Sequence, residues 1–105
     1  MNYYLTIKII REIEKDPKQS YRSLSKLCGV SLGSIHYCIK ALVSKSYVKV
    51  KNFKNSKNKL SYAYILTPLG LSYKKNITLV FLQRKQAEYE TLQKEIKELN
   101  DGLEQ

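Results

Sequence analysis

The amino-acid sequence predicts a mainly α fold with a small β-hairpin (α+β), closed by one long helix. Three observations predict it. Apolar residues recur at helical spacing through three early segments, the period then changes to two, and no glycine or proline interrupts residues 71–101.

The elements follow in order. Tyr4 to Lys15 places Leu5, Ile9, Ile10 and Ile13 on one helical face with charges opposite. Asp16-Pro17 closes this helix, because the residue before proline is pushed out of helical geometry. Ser20 is a good N-cap for a short second helix that carries Leu24 and Leu27 inward. Gly29 ends it, since glycine turns left-handed without steric cost. Ser31 caps a third helix, Leu32 to Lys45, after a turn of Gly29-Val30-Ser31 only. Two helices joined by so short a glycine-containing turn have the sequence form of a helix-turn-helix.

Next, Val48-Lys49-Val50-Lys51 alternates apolar and basic side chains as a half-buried strand does. Leu60 to Leu66, rich in Tyr, Ile and Leu, predicts its partner, and the polar stretch 52–59 between them predicts a turn. Placed after a helix-turn-helix, this hairpin is a wing, with its basic tip over 53–60. Thr67-Pro68 supplies a cap and a proline at the first helical position, so a last helix starts there and runs to about Asn100. Gly70 and Asn76 leave room for a kink near its start.

Leu82, Lys85, Tyr89, Leu92, Ile96, Leu99 and Leu103 fall on alternating three- and four-residue steps, a heptad seam with one polar position. Leu71, Ile77, Leu79, Val80, Phe81 and Leu82 are apolar over more than one face and can pack back on the preceding domain. Residues past Tyr89 lie too far out to do so, and a bare helix of that length is marginal in water. The reading is therefore a winged helix-turn-helix over 1–70 and a coiled-coil dimerisation helix over 71–105. Its homodimer contacts are Leu82, Tyr89, Leu92, Ile96, Leu99 and Leu103. Glu88 and Glu95 face Gln93 and Asn100 across such a seam, which leaves parallel and antiparallel pairing both open.

Charge narrows the function. The total is +10, but residues 1–16 are neutral and residues 17–87 contain fourteen Lys and Arg with no Asp or Glu. From Glu88 onward six acids stand against Lys94 and Lys97, a net −4. A span with no carboxylate repels itself and gains from an external polyanion. Double-stranded DNA is the first candidate, and RNA or an anionic membrane surface comes after it. A different class of reading also stands: a winged-helix adaptor that binds protein and dimerises by its coiled coil.

The same pattern excludes other classes. Carboxylate acid–base chemistry and carboxylate metal ligation have no residues to use between 17 and 87. His36 is the only histidine, no Gly-rich phosphate loop occurs, and Cys28 and Cys38 fit no metal spacing. The cysteines read as two half-buried reduced thiols. No catalytic residue, metal or cofactor is expected, so the chain is not read as an enzyme. With no membrane-spanning run of about 18 apolar residues and no secretion signal, the expected location is the cytoplasm.

In the third helix Leu32, Ile35, Cys38, Ile39, Leu42 and Val43 share one face. Gly33, Ser34, His36, Tyr37, Lys40 and Ser44 then point away from the core. Recognition helices read bases chiefly with their N-terminal half, which favours Ser31, Ser34 and Tyr37, with His36 and Lys40 beside them and Gly33 allowing close backbone approach. No arginine is placed for a bidentate guanine contact, so sequence preference draws partly on DNA shape. Lys54, Lys57, Asn58 and Lys59 of the wing suit the backbone or minor groove. Tyr21 and Arg22 open the second helix where anions are attracted.

These residues also resemble a known family. Gly29-Val30-Ser31-Leu32-Gly33, His36 to Leu42, Val48 to Leu60 and Tyr62 to Gly70 are together similar to small exopolysaccharide-associated regulators of the MarR type. Leu66-Thr67-Pro68-Leu69-Gly70 resembles the strand-to-helix junction of MarR-like winged helices generally, and Asn52–Leu60 is the most specific part. The resemblance covers roughly residues 5–100. It implies a bacterial transcriptional regulator, homodimeric, with third helix and wing on DNA, often encoded beside polysaccharide biosynthesis genes. Full-length MarR proteins build a dimer scaffold from helices at both ends with a ligand pocket between. This chain has little of that scaffold, and a small-molecule effector is not expected from it.

Overall fold

A computed structural model describes residues 2–54 and 60–104. The described residues fold into four helices and one two-stranded antiparallel sheet: α1 Tyr3–Lys15, α2 Tyr21–Cys28, α3 Leu32–Ser44, β1 Val48–Lys54, β2 Leu60–Leu66 and α4 Pro68–Leu103. This is a winged helix-turn-helix followed by a long C-terminal helix.

The early boundaries follow from caps. Asn2, which the periodicity did not reveal, accepts the amide of Leu5 and starts α1 one residue before the expected Tyr4. Asp16 is extended and closes α1 ahead of Pro17. Ser20 and Ser31 each accept the amide three residues on, and Gly29 sits at φ 68°, in the left-handed region. The two helices meet at a bend of 108°, inside the range of DNA-binding helix-turn-helix pairs.

The core forms where α1, α2, α3 and the sheet converge. Ile9, Ile10, Ile13, Leu24, Ile35, Ile39, Leu42 and Val48 are its fully enclosed side chains. Thr6 is buried among them, its hydroxyl donating to the Asn2 carbonyl at 2.9 Å and lying 3.6 Å from Cys38 Sγ. Cys28 and Cys38 are more enclosed than expected, both buried and free. Burial pushes both thiols up from the ordinary cysteine range.

Three apolar assignments need correction. Leu27 is 55% exposed, Leu32 48% and Val43 36%. In α2 the inward face is set by Leu24 and Cys28, four residues apart, and Leu27 falls to the side of it. Leu32 stands at the first position of α3, before the helix has reached the core.

β1 runs three residues past the expected Lys51, through Lys54, and pairs in register from Val48 with Leu66 to Lys54 with Leu60. Opposed residues share a face, so Val48, Val50, Tyr62, Tyr64 and Leu66 line the same side. The Tyr64 amide donates to the Pro17 carbonyl at 2.8 Å and ties the hairpin to the α1–α2 connection.

α4 is fastened by Thr67. Its hydroxyl donates to the Ser46 carbonyl at 2.6 Å and accepts the Gly70 amide at 3.0 Å. Gly70 is required here by packing: a β-carbon would stand 2.0 Å from the Tyr47 carbonyl oxygen. Tyr47 and Tyr73 stack at 4.1 Å, Tyr4 stacks on Phe81 at 5.2 Å, and Lys74 pairs with Glu14 at 2.6 Å. These contacts seat the start of α4 against α1. Of the apolar residues expected to pack back, Ile77 is buried and Phe81 half-buried, whereas Leu71, Leu79, Val80 and Leu82 are exposed. Beyond Leu82 every described residue of α4 is exposed. The helix continues past the expected Asn100 to Leu103, so the molecule measures 72 × 26 × 21 Å.

Candidate nucleic-acid interface

The core-facing residues of α3 set what its other side presents. With Ile35, Cys38, Ile39 and Leu42 turned inward, Gly33, His36, Tyr37, Lys40 and Ser44 are exposed. Tyr37 is the most prominent, 73% exposed on the first half of the helix. Ser31 caps α3 by accepting the Ser34 amide at 3.1 Å, and the two hydroxyls lie 3.0 Å apart. Ser34 is half-buried. Both serines are therefore partly committed to the helix start, which leaves Tyr37, His36 and Lys40 as the more available donors.

Tyr21 and Arg22 are separated by their neighbours. Arg22 is exposed at the start of α2. Tyr21 is half-buried, edge-on to His36 at 5.7 Å and stacked on Tyr64 at 5.9 Å. Burial first, and a hydrogen bond with Tyr21 second, hold the Tyr64 phenol well above its ordinary value. This aromatic set braces α2, α3 and β2 against one another and fixes how His36 is presented.

Between the start of α2, the outer side of α3 and the hairpin lies a groove of about 650 Å³. Lys18, Ser20, Tyr21, His36, Lys40 and Tyr62 are among its lining residues. Lys18 and Tyr62 were not singled out from sequence. The signal for Tyr62 was available, since it lies two residues from buried Tyr64 on the same face of the strand. Along the hairpin Lys49, Lys51 and Lys54 are exposed. The expected wing contacts Lys57, Asn58 and Lys59 lie outside the described residues. Among the described residues no three His, Cys, Asp or Glu side chains lie together, and no single helix is long and apolar enough to cross a membrane.

A helix-turn-helix bent at 108°, a solvent-facing third helix and a paired hairpin are now in place, and comparison with known proteins agrees with them. Residues 4–49 match a family model described as winged helix-turn-helix DNA-binding. The chain has the winged helix-turn-helix fold. No curated protein sequence matches it. Among solved structures it is similar to a proposed transcriptional regulator from Thermoplasma acidophilum, at 24% identity and TM-score 0.62, over 81% of this chain and 87% of that one. A MarR/EmrR family transcriptional regulator from Acinetobacter sp. ADP1 is similar at 22% identity and TM-score 0.57, over 95% and 75%. The Staphylococcus aureus MarR solved with salicylate and kanamycin is similar at 22% and TM-score 0.54, over 78% of this chain and 53% of that one. Likenesses at these identities carry the fold.

Proposed function

We propose that the protein is a double-stranded-DNA-binding transcriptional regulator of MarR type that acts as a homodimer, with α3 in the major groove and the hairpin on the adjacent backbone or minor groove. The observation that carries this reading is the outer side of α3. Tyr37, His36 and Lys40 project from it together, within a 71-residue span that contains no carboxylate. Base edges accept hydrogen bonds from such side chains and phosphates attract the lysines. The arm supports the dimer half of the proposal: Tyr89, Leu92, Ile96, Leu99 and Leu103 fall along one seam and are each half exposed or more. The likeness of the Asn52–Leu60 segment to exopolysaccharide-associated regulators extends the proposal to promoters of polysaccharide biosynthesis genes, which a footprint upstream of such genes would test.

The placement of α3 is tested by Tyr37→Ala and Lys40→Ala. Each should weaken specific DNA binding by about 1–3 kcal/mol, roughly 5- to 150-fold in affinity, while leaving thermal unfolding unchanged because both side chains are exposed. Unchanged affinity in both variants would show that another surface reads the DNA.

A further inference from the structure

We propose that two copies pair through antiparallel α4 helices, the acidic outer half of each lying along the basic inner half of the other; this rests on the homodimer reading above. α4 is electrically two-part. Residues 68–85 carry Lys74, Lys75, Arg84 and Lys85 and no acid, whereas residues 86–104 carry six acids and two lysines. Each half also holds a shallow apolar groove of its own sign. Leu71, Lys75, Thr78 and Leu79 line the inner one, and Ala87, Glu88, Leu92 and Glu95 the outer one.

A groove of leucines edged by lysine complements one edged by glutamate, and neither complements itself. Parallel pairing sets equal seam positions side by side, so Lys75 would meet a second Lys75 and Lys85 a second Lys85. It also lays the basic half of each α4 along the basic half of the other, and acidic along acidic. Antiparallel pairing with the two grooves mated sets Lys75 opposite the partner's Leu92, with the partner's Glu88 and Glu95 on either side of it. Leu71 then meets the partner's Ile96, Thr78 the partner's Tyr89, and Leu82 the partner's Lys85. The two-fold axis crosses α4 between Gln83 and Arg84. The opposed macrodipoles of the two helices also favour this direction.

The same register disposes of the tip. Leu99 and Leu103 come to lie over the partner's β2–α4 junction, where Ile65, Pro68 and Leu71 edge another exposed groove. The inner-half leucines left bare by the monomer, Leu71, Leu79 and Leu82, and the outer-half seam are thus covered by one arrangement. Leu69 and Val80, on the far side of the helix, take no part.

Cysteine cross-linking reads the direction. Lys75→Cys and Leu92→Cys are made separately, both at exposed positions, in chains whose native Cys28 and Cys38 are buried and so slow to oxidise. Coexpressed with tags of different mass and oxidised mildly, the two variants should form the mixed disulfide, and neither should cross-link to itself. A self-linked Leu92→Cys dimer, or a dimer that yields no mixed disulfide, would overturn the direction and register while leaving the homodimer intact. A monomer mass by light scattering at micromolar concentration would overturn the homodimer reading as well.

Discussion

At Gly70 and at Ser46 the choice of residue bears directly on local geometry. At Gly70 any β-carbon meets the Tyr47 carbonyl at 2.0 Å and the Leu66 side chain at 2.7 Å. Backbone cannot yield as a flexible side-chain end does, so Gly70→Ala should destabilise by about 2–3 kcal/mol, the upper part of the range for overpacking. A fall in thermal midpoint of about 10 °C or more would record it. Ser46 has φ 62°, in the left-handed region, at the turn from α3 to β1. A β-carbon is disfavoured there, and the bond from Thr67 uses the Ser46 carbonyl rather than its side chain. Ser46→Gly should stabilise by about 0.5–1 kcal/mol, seen as a higher thermal midpoint with unchanged DNA affinity.

At the scale of elements, legibility follows the range of the signal. The caps Ser20, Ser31 and Thr67, the stop at Asp16-Pro17 and the turn at Gly29 are local chemistry, and all could be read along the chain. The core face of α3 could be read because Ile35, Cys38, Ile39 and Leu42 repeat at helical period. Exposure of Leu27 and Leu32 could not, because it depends on where neighbouring helices end. Tyr21 was legible as a helix-start residue, whereas its stacking on Tyr64, 43 positions away in the chain, was not. The heptad spacing of the arm is plain along the chain, and the exposure of its apolar positions makes a prediction at this scale. Ile96→Glu with Leu99→Glu touches nothing in the winged domain, so the domain should stay folded by circular dichroism. The dimer mass should be lost by light scattering, since two charges would enter an apolar seam.

For the molecule as a whole, charge and shape divide along the same line. The folded domain carries most of the acid-free stretch, and the protruding arm carries six of the nine acids. A radius of gyration of 19.0 Å exceeds the ~13 Å expected of a compact domain of this length, and the arm accounts for the difference. On the proposed reading the acidic arms would be held off the duplex and phosphate contacts would fall on the basic heads. If each head neutralises several phosphates, affinity for duplex DNA should fall by about 10³-fold or more between 50 and 200 mM salt. Titration across that range by fluorescence anisotropy checks it, and a flat response would remove the electrostatic basis of binding.

The clasp formed by Thr67, Gly70 and Tyr47 has a mechanical consequence. With no room at Gly70 and hydrogen bonds from the Thr67 hydroxyl and amide to the Ser46 and Tyr47 carbonyls, head and arm act as one stiff lever. The 36 residues of α4 extend about 54 Å at 1.5 Å per residue. A tilt of a few degrees at the clasp therefore carries the tip through several ångströms. In a dimer that leverage works in reverse: the seam between the arms acts as a gauge that sets the distance between the two reading helices. Sites on DNA would then be selected by their separation as well as by their bases.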